Sequence, residues 1–281
     1  MNYRKIISKG RSILEKHSIL NADIDSELLL SISLNKSRTN ILLNSEDKLN
    51  KIQINNYFKL INRRKKKEPI SFISGRRFFW KYDFIVNKNV LTPRFETELL
   101  LDEVLKIYKH SNNIKVLDIG LGSGCILISL LKEKKRWKGD GVDISKLSLK
   151  TAKTNAKMQQ VENRMRFIHS NIDNLNCGKY DLIVSNPPYI NRIEYNNLGL
   201  EVKDYEPLEA LYGGIDGFRI IEKIIKKSNI ILKYNGLLAM EIGLGQHFKV
   251  LELLKNNGFF TVKIIKDYQK IKRCLIAKKI K

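Results

Sequence analysis

Asn186, Pro187, Pro188 and Tyr189 stand at the end of the apolar run YDLIVS (180–185), downstream of a glycine-rich turn running from Asp118 to Gly124 (DIGLGSG). A side-chain amide held beside two prolines where a strand ends is a rigid device for gripping a planar NH2 group. The Asn186 oxygen and the Pro187 backbone carbonyl both accept hydrogen bonds. A carboxamide nitrogen is a poor nucleophile because its lone pair is delocalised into the carbonyl, and holding it in line with an electrophilic methyl group is worth roughly 7–11 kcal/mol of barrier. Acceptors aimed at that nitrogen also bind the transition state better than the ground state, since positive charge moves onto it. The expected chemistry is methyl transfer to nitrogen. Asn186, Pro187 and Tyr189 are the expected catalytic residues, Asn186 to Tyr189 the substrate-binding segment, and Tyr189 the ring that stacks on the amide plane and excludes water. No metal or covalent nucleophile is required. The plain alternative is a proline-rich strand exit that only prevents further helix or sheet.

Gly120, Gly122 and Gly124, with Leu121 and Ser123 between them, follow a predicted strand and precede a predicted helix. In that setting a glycine loop lets backbone approach a nucleotide-like ligand, although it also suits a tight turn that packs helix on strand. Asp143 ends the next predicted strand about twenty residues on, where a carboxylate accepts from ribose hydroxyls. It could equally cap the helix that starts at Ser145. His17, His110, His169 and His247 are scattered, and none stands beside a serine or cysteine in a hydrolase motif.

The elements that must position these residues are legible in the hydrophobic periodicity. Residues 1–70 read as a small all-helical domain, with Ile6, Ile7, Ile13 and Leu14, then Leu28, Leu29 and Ile32, then Ile54, Phe58 and Ile61 at helical spacing, and Glu68-Pro69 as the stop. Residues 71–90 carry short aromatic and β-branched runs (SFISG, RFFWKYDFIV) and suggest a β-hairpin linker. From 91 to 281 strands are expected near 114–119, 138–144, 164–169, 180–185, 236–242, 259–266 and 272–279, with helices near 95–110, 123–136, 145–160, 217–233 and 245–256. The alternation predicts an α/β, Rossmann-like, seven-stranded, mostly parallel sheet whose last strand runs antiparallel, because Asp267 to Ile271 is too short for a parallel crossover.

Composition narrows the setting. The 281 residues, 43% of them hydrophobic, suffice for a substantial core. No stretch is long and apolar enough for a bilayer or a secretory leader, so a cytoplasmic protein without membrane contact is expected. Cys125, Cys177 and Cys274 are too few and too far apart for a disulfide framework or a zinc site. A formal charge of +23 would favour an anionic partner, but the lysines are spread along the chain, so nucleic-acid contact is not required. The exception is Arg63 to Lys67, which reads as a solvated helix end or a phosphate contact.

The pattern DxGxGxG at Asp118 to Gly124 resembles the class I methyltransferases that use S-adenosylmethionine and release S-adenosylhomocysteine. That resemblance implies that Asp118 fixes the loop and the methionine end of the cofactor, and that Asn171 and Ile172 flank the adenine where relatives carry an acidic and a large apolar residue. Most of the chain is similar to the release-factor glutamine N5-methyltransferases. The similarity runs through ADIDSELLL, EPISFISG, LTPRFETE, VLDIGLGSG, VDIS, DLIVSNPPYI, YEPLEAL with GGIDG, EIGLGQ and DYQKIKR. It implies that Asp118, Gly120 to Gly124, Asp143, Asn171, Ile172 and Asn186 hold the cofactor, and that Asn186 to Tyr189 bind the glutamine of a Gly-Gly-Gln loop. The helical domain would then engage the release factor, with the enzyme acting as a monomer. Phe95 stands where relatives usually have proline. NPPY alone is shared with enzymes that methylate adenine in DNA or guanine in RNA, so a base-methylating enzyme is one alternative. A cofactor-binding protein that has lost turnover is another.

Overall fold

The computed structural model describes residues 1–281, which fall into two compact units, Met1–Gly75 with Gly199–Tyr205, and Arg76–Leu198 with Glu206–Lys281. The first unit is helical. Helices α1 (Tyr3–Lys16), α2 (Ala22–Leu34), α3 (Arg38–Leu43) and α4 (Lys51–Arg64) bring Ile6, Leu14, Leu29, Leu30, Ile41 and Ile61 into one core, as their three- and four-residue spacing requires. Asn2, Ser37 and Asn50 start three of these helices by accepting a backbone N–H from the first turn, and Asn50 forms a reciprocal capping box with Gln53.

Helix α4 ends before Glu68-Pro69, as expected, but Pro69 does not end the helical stretch. It is the extended N-cap of a further turn, α5 (Ile70–Ser74), which Gly75 closes in the left-handed conformation at φ 70°. The SFIS run expected in the linker is therefore helical, because a proline before a first turn and a glycine after the last favour a short helix over a strand. Three members of the basic run ending α4, Arg63, Arg64 and Lys67, have partners within the helical unit. Arg63 pairs with Glu68 at 2.5 Å. Arg64 is buried and donates to Asp25 Oδ2 at 2.7 Å, to the Glu68 carbonyl at 3.1 Å and to Glu201 Oε1 at 2.8 Å. Lys67 donates to the Ser18 carbonyl. These side chains stitch the helical unit together, and Arg64 is no part of a solvated helix end.

The second unit opens with the hairpin β1 (Arg76–Phe79) and β2 (Tyr82–Ile85). It continues through α6 (Phe95–Ile107), β3 (Lys115–Ile119), α7 (Cys125–Glu133), β4 (Lys138–Asp143), α8 (Lys146–Met158), β5 (Met165–His169) and β6 (Tyr180–Ser185). Three short helices follow, α9 (Arg192–Asn196), α10 (Leu200–Lys203, in the first unit) and α11 (Leu208–Leu211). Then come α12 (Arg219–Ile231), β7 (Leu232–Glu241), α13 (His247–Asn256), β8 (Phe259–Lys266) and β9 (Lys272–Lys279). The short helices lie where the sequence pattern marked no element; α9 is announced only by its capping box, Asn191 with Glu194.

The sheet order is β5-β4-β3-β6-β7-β9-β8, and β9 alone runs antiparallel to its neighbours. Residues of β3 alternate between two cores. Val116 packs with Leu182, Val184 and the leucines of α6 and α7, whereas Leu117 packs with Ile183 and the isoleucines of α12. Both faces are thus covered, which is why the central strands read as continuous apolar runs. No helix is long and apolar enough to cross a membrane.

Candidate active site

From β3 the chain winds one way through β4 and β5, and from β6 it winds the other way through β7. Ligands on such sheets bind where the order reverses, beyond the carboxyl ends of the strands. At that point lies a cleft of about 790 Å³, whose walls include Gly120 to Ser123, Asp143, Asn171, Ile172 and Asn186 to Pro188. The two segments singled out in the sequence therefore meet. The strand ends are tied by Ser185 Oγ, which donates to the Ile119 carbonyl at 2.6 Å.

The glycine loop needs its glycines, since Gly120, Gly122 and Gly124 all have positive φ (79°, 56° and 80°). Two supports hold it. Asp143 Oδ2 accepts from the Gly122 N–H at 2.9 Å while Oδ1 accepts from the Ser145 N–H at 2.8 Å, so one carboxylate fixes the loop and the entry to α8. Burial raises the Asp143 pKa, and these N–H donors oppose the rise. Asn155, buried on α8, donates to the Ser123 carbonyl at 2.9 Å and exchanges hydrogen bonds with the backbone of Ile85. Asn155 leaves no local pattern by which to find it, because its partners lie 32 and 70 residues away.

Asp118 sits beneath the loop at the end of β3, fully buried, with its Oδ1 unpartnered by any protein group. Burial pushes its pKa well up, against the pull of a hydrogen bond from the Leu127 backbone. Asn171 is exposed, and its side-chain oxygen accepts from the Asn174 N–H at 2.8 Å, closing a turn after β5. Ile172 is buried against the α12 core and forms part of the cleft wall.

The NPPY segment is held from behind by residues the sequence reading did not select. Asn186 Nδ2 lies 3.2 Å from Thr97 Oγ1, in the first turn of α6. Thr97 Oγ1 donates to Glu241 Oε2 at 2.6 Å, and the Tyr189 hydroxyl donates to Glu241 Oε1 at 3.1 Å. Glu241 ends β7 and is 2% exposed. Burial raises its pKa, while the two hydroxyl donors lower it. The Tyr189 ring packs on the core below α12 and against Gly243, so this residue is anchored at both its ring and its hydroxyl. Gln246 donates to the Tyr189 carbonyl at 2.9 Å and accepts from the Gly243 N–H at 2.8 Å. Gly217 must be glycine here, since a Cβ at φ 80° would lie 2.4 Å from the Tyr189 carbonyl oxygen.

Phe95 occupies the first position of α6, which starts without proline. Its ring lies 4.6 Å from the Arg77 guanidinium, and Arg94 beside it pairs with buried Glu206 at 2.5 Å. The segments LTPRFETE, NPPY, YEPLEAL and EIGLGQ are thus parts of one scaffold around one cleft. What they offer is a glycine-rich backbone cradle beside a strand exit that carries Asn186 and Pro187, two residues whose oxygens can accept an N–H.

Comparison with known proteins agrees with this geometry. Residues 95–199 match the model of the methyltransferase small domain, and residues 5–75 that of the PrmC N-terminal domain. A release factor glutamine methyltransferase from Caulobacter vibrioides is 37% identical, over 98% of this chain and 96% of its own. A bifunctional methyltransferase from Rickettsia felis is 35% identical over 97% of this chain but only 57% of its own length, so the chain spans about half of such bifunctional relatives. A methyltransferase crystal structure from Pyrococcus furiosus shares the fold, with a TM-score of 0.54 at 18% identity, covering 71% of this chain and 89% of that one. By sequence over nearly its whole length, the chain belongs to the release factor glutamine methyltransferase family.

Proposed function

We propose that this protein transfers a methyl group from S-adenosylmethionine to the side-chain nitrogen of the glutamine in the Gly-Gly-Gln loop of a peptide-chain release factor. The observation that carries this is the meeting of the glycine loop and the NPPY segment in one cleft at the reversal of the sheet. The residues fit such a donor. A volume of about 790 Å³ is within the ordinary range for a small-molecule site, and buried Asp118 Oδ1 is an acceptor in want of a donor. Gly120 to Gly124, Asp118, Asp143, Asn171 and Ile172 would hold it, with the Asn171 oxygen shared with the Asn174 N–H. When bound, S-adenosylmethionine supplies a methyl group on a positively charged sulfur and leaves as S-adenosylhomocysteine.

The chain's own work is orientation. The Asn186 oxygen and the Pro187 carbonyl accept the two N–H bonds of the substrate amide and turn its nitrogen toward the donor. Both acceptors become better partners as positive charge grows on that nitrogen. They are neutral carbonyls, so the proton the nitrogen sheds goes on to water. Tyr189, expected to stack on the amide, is packed in the core and is absent from the cleft wall, so its part is to hold the segment in place; the helical unit supplies the surface that engages the release factor.

The test incubates the protein with methyl-labelled donor and, separately, a release factor, the same factor with its loop glutamine changed to alanine, and DNA. Label is expected on the unaltered factor alone and is lost with Asn186→Ala. Label on DNA or on the alanine variant would overturn the assignment.

A further inference from the structure

An amide side chain presents an acceptor at one end and donors at the other, and a site that must receive an NH2 group works only if the oxygen faces it. The hydrogen-bond network decides which end of Asn186 is free. Ionised Glu241 can only accept, so the Thr97 and Tyr189 hydroxyls, at 2.6 Å and 3.1 Å, both direct their protons to it. With its proton committed, Thr97 Oγ1 faces Asn186 at 3.2 Å with lone pairs only. The NH2 of Asn186 must occupy that contact, which leaves Oδ1 as the free end of a residue that lines the cleft. We propose that Glu241, acting through Thr97, is the positioning residue that fixes the polarity of the Asn186 amide and thereby makes the site select an amide over a carboxylate. This rests on the glutamine reading above.

The consequence is a specificity that can be read apart from rate. A flipped Asn186 would set its NH2 against the NH2 of glutamine, donor against donor, yet would welcome the carboxylate of glutamate. The wild-type protein should therefore bind a release factor with loop glutamine well and the same factor with loop glutamate poorly. Thr97→Val keeps shape but removes the hydroxyl, and should lower kcat/KM about 10- to 100-fold, the value of a hydrogen bond in a charged network. It should also shrink the glutamine-to-glutamate binding ratio by a similar factor, while affinity for S-adenosylhomocysteine stays within a few-fold. Thr97→Ser restores the hydroxyl and should restore both ratio and rate. A ratio unchanged in Thr97→Val, or serine as damaging as valine, would overturn the proposal. If the wild-type protein methylates no release factor, the glutamine reading fails by itself. The polarity is then decided by a neutron structure of the protein, which should show Asn186 deuterons on Thr97 and the Thr97 deuteron on Glu241. Asn186 Oδ1 turned to Thr97 would refute it.

Discussion

Gln246 joins the loop after β7 to the loop after β6, its Nε2 donating to the Tyr189 carbonyl 57 residues away. The same side chain accepts from the Gly243 N–H and is 8% exposed. It is the clamp that keeps the two loops of the cleft at a fixed separation. Gln246→Ala should destabilise the protein by roughly 1–3 kcal/mol, since it strands buried backbone groups. It should also lower kcat more than it raises KM. Urea denaturation and steady-state kinetics check both.

Arg64 makes a comparable bond in the helical unit, to Asp25, which is buried with it. Removing the arginine leaves a buried carboxylate without its partner, and Arg64→Ala should cost about 3–5 kcal/mol in denaturant unfolding. Lys65→Ala, next in the same basic run but only half-buried, should cost under about 0.5 kcal/mol.

Asp118 predicts an unusual pH dependence. Its folded pKa is raised by burial, so the folded state holds more protons than the unfolded state between the ordinary aspartate value of about 4 and the raised value. Stability contributed by this group is therefore lost as pH rises through that window. Asp118→Asn should flatten the dependence and raise stability at neutral pH by roughly 1–3 kcal/mol. It should also weaken S-adenosylhomocysteine binding. Thermal melts across pH, with calorimetry, check the pair of effects.

Glu241 predicts an acid limb in kcat/KM. Its ionised form can only accept and so commits the Thr97 proton, whereas its protonated form can donate to Thr97 instead; its pKa is raised by burial, so activity should fall as pH drops through a value above the ordinary glutamate range of about 4.3. The groups that face it are Glu96, which raises its pKa, and Arg273 and the Tyr189 hydroxyl, which lower it, with Cys125 and Cys274 nearby as neutral thiols. Glu241→Gln should lower activity and abolish that limb. A limb unchanged in the glutamine variant would assign it to another group.

The strands were legible because each central strand is buried on both faces and so carries an uninterrupted apolar signal, as in VLDI and DLIV. The glycine loop and NPPY were legible because a left-handed turn and a paired-proline exit each demand particular residues locally. The supports were not. Thr97 meets Asn186 across 89 residues and Glu241 across 144, and a single hydroxyl or carboxylate at such a distance leaves no periodic trace. SFIS misled because its residue types favour strand while its flanks, Pro69 and Gly75, impose a helical turn. The turns between β6 and α12 are set by caps such as Asn191 and Pro207, with too few residues for a period to show.

The central claim is that this cleft delivers a methyl group to a glutamine amide nitrogen held by Asn186. Its most direct test is fragmentation mass spectrometry of the release-factor peptide containing the Gly-Gly-Gln loop, after incubation with the protein and S-adenosylmethionine. One added methyl group on the glutamine side chain, absent with Asn186→Ala, is the predicted result. An unmodified glutamine in a reaction that still consumes the donor, or a methyl group on another residue of the peptide, would contradict it.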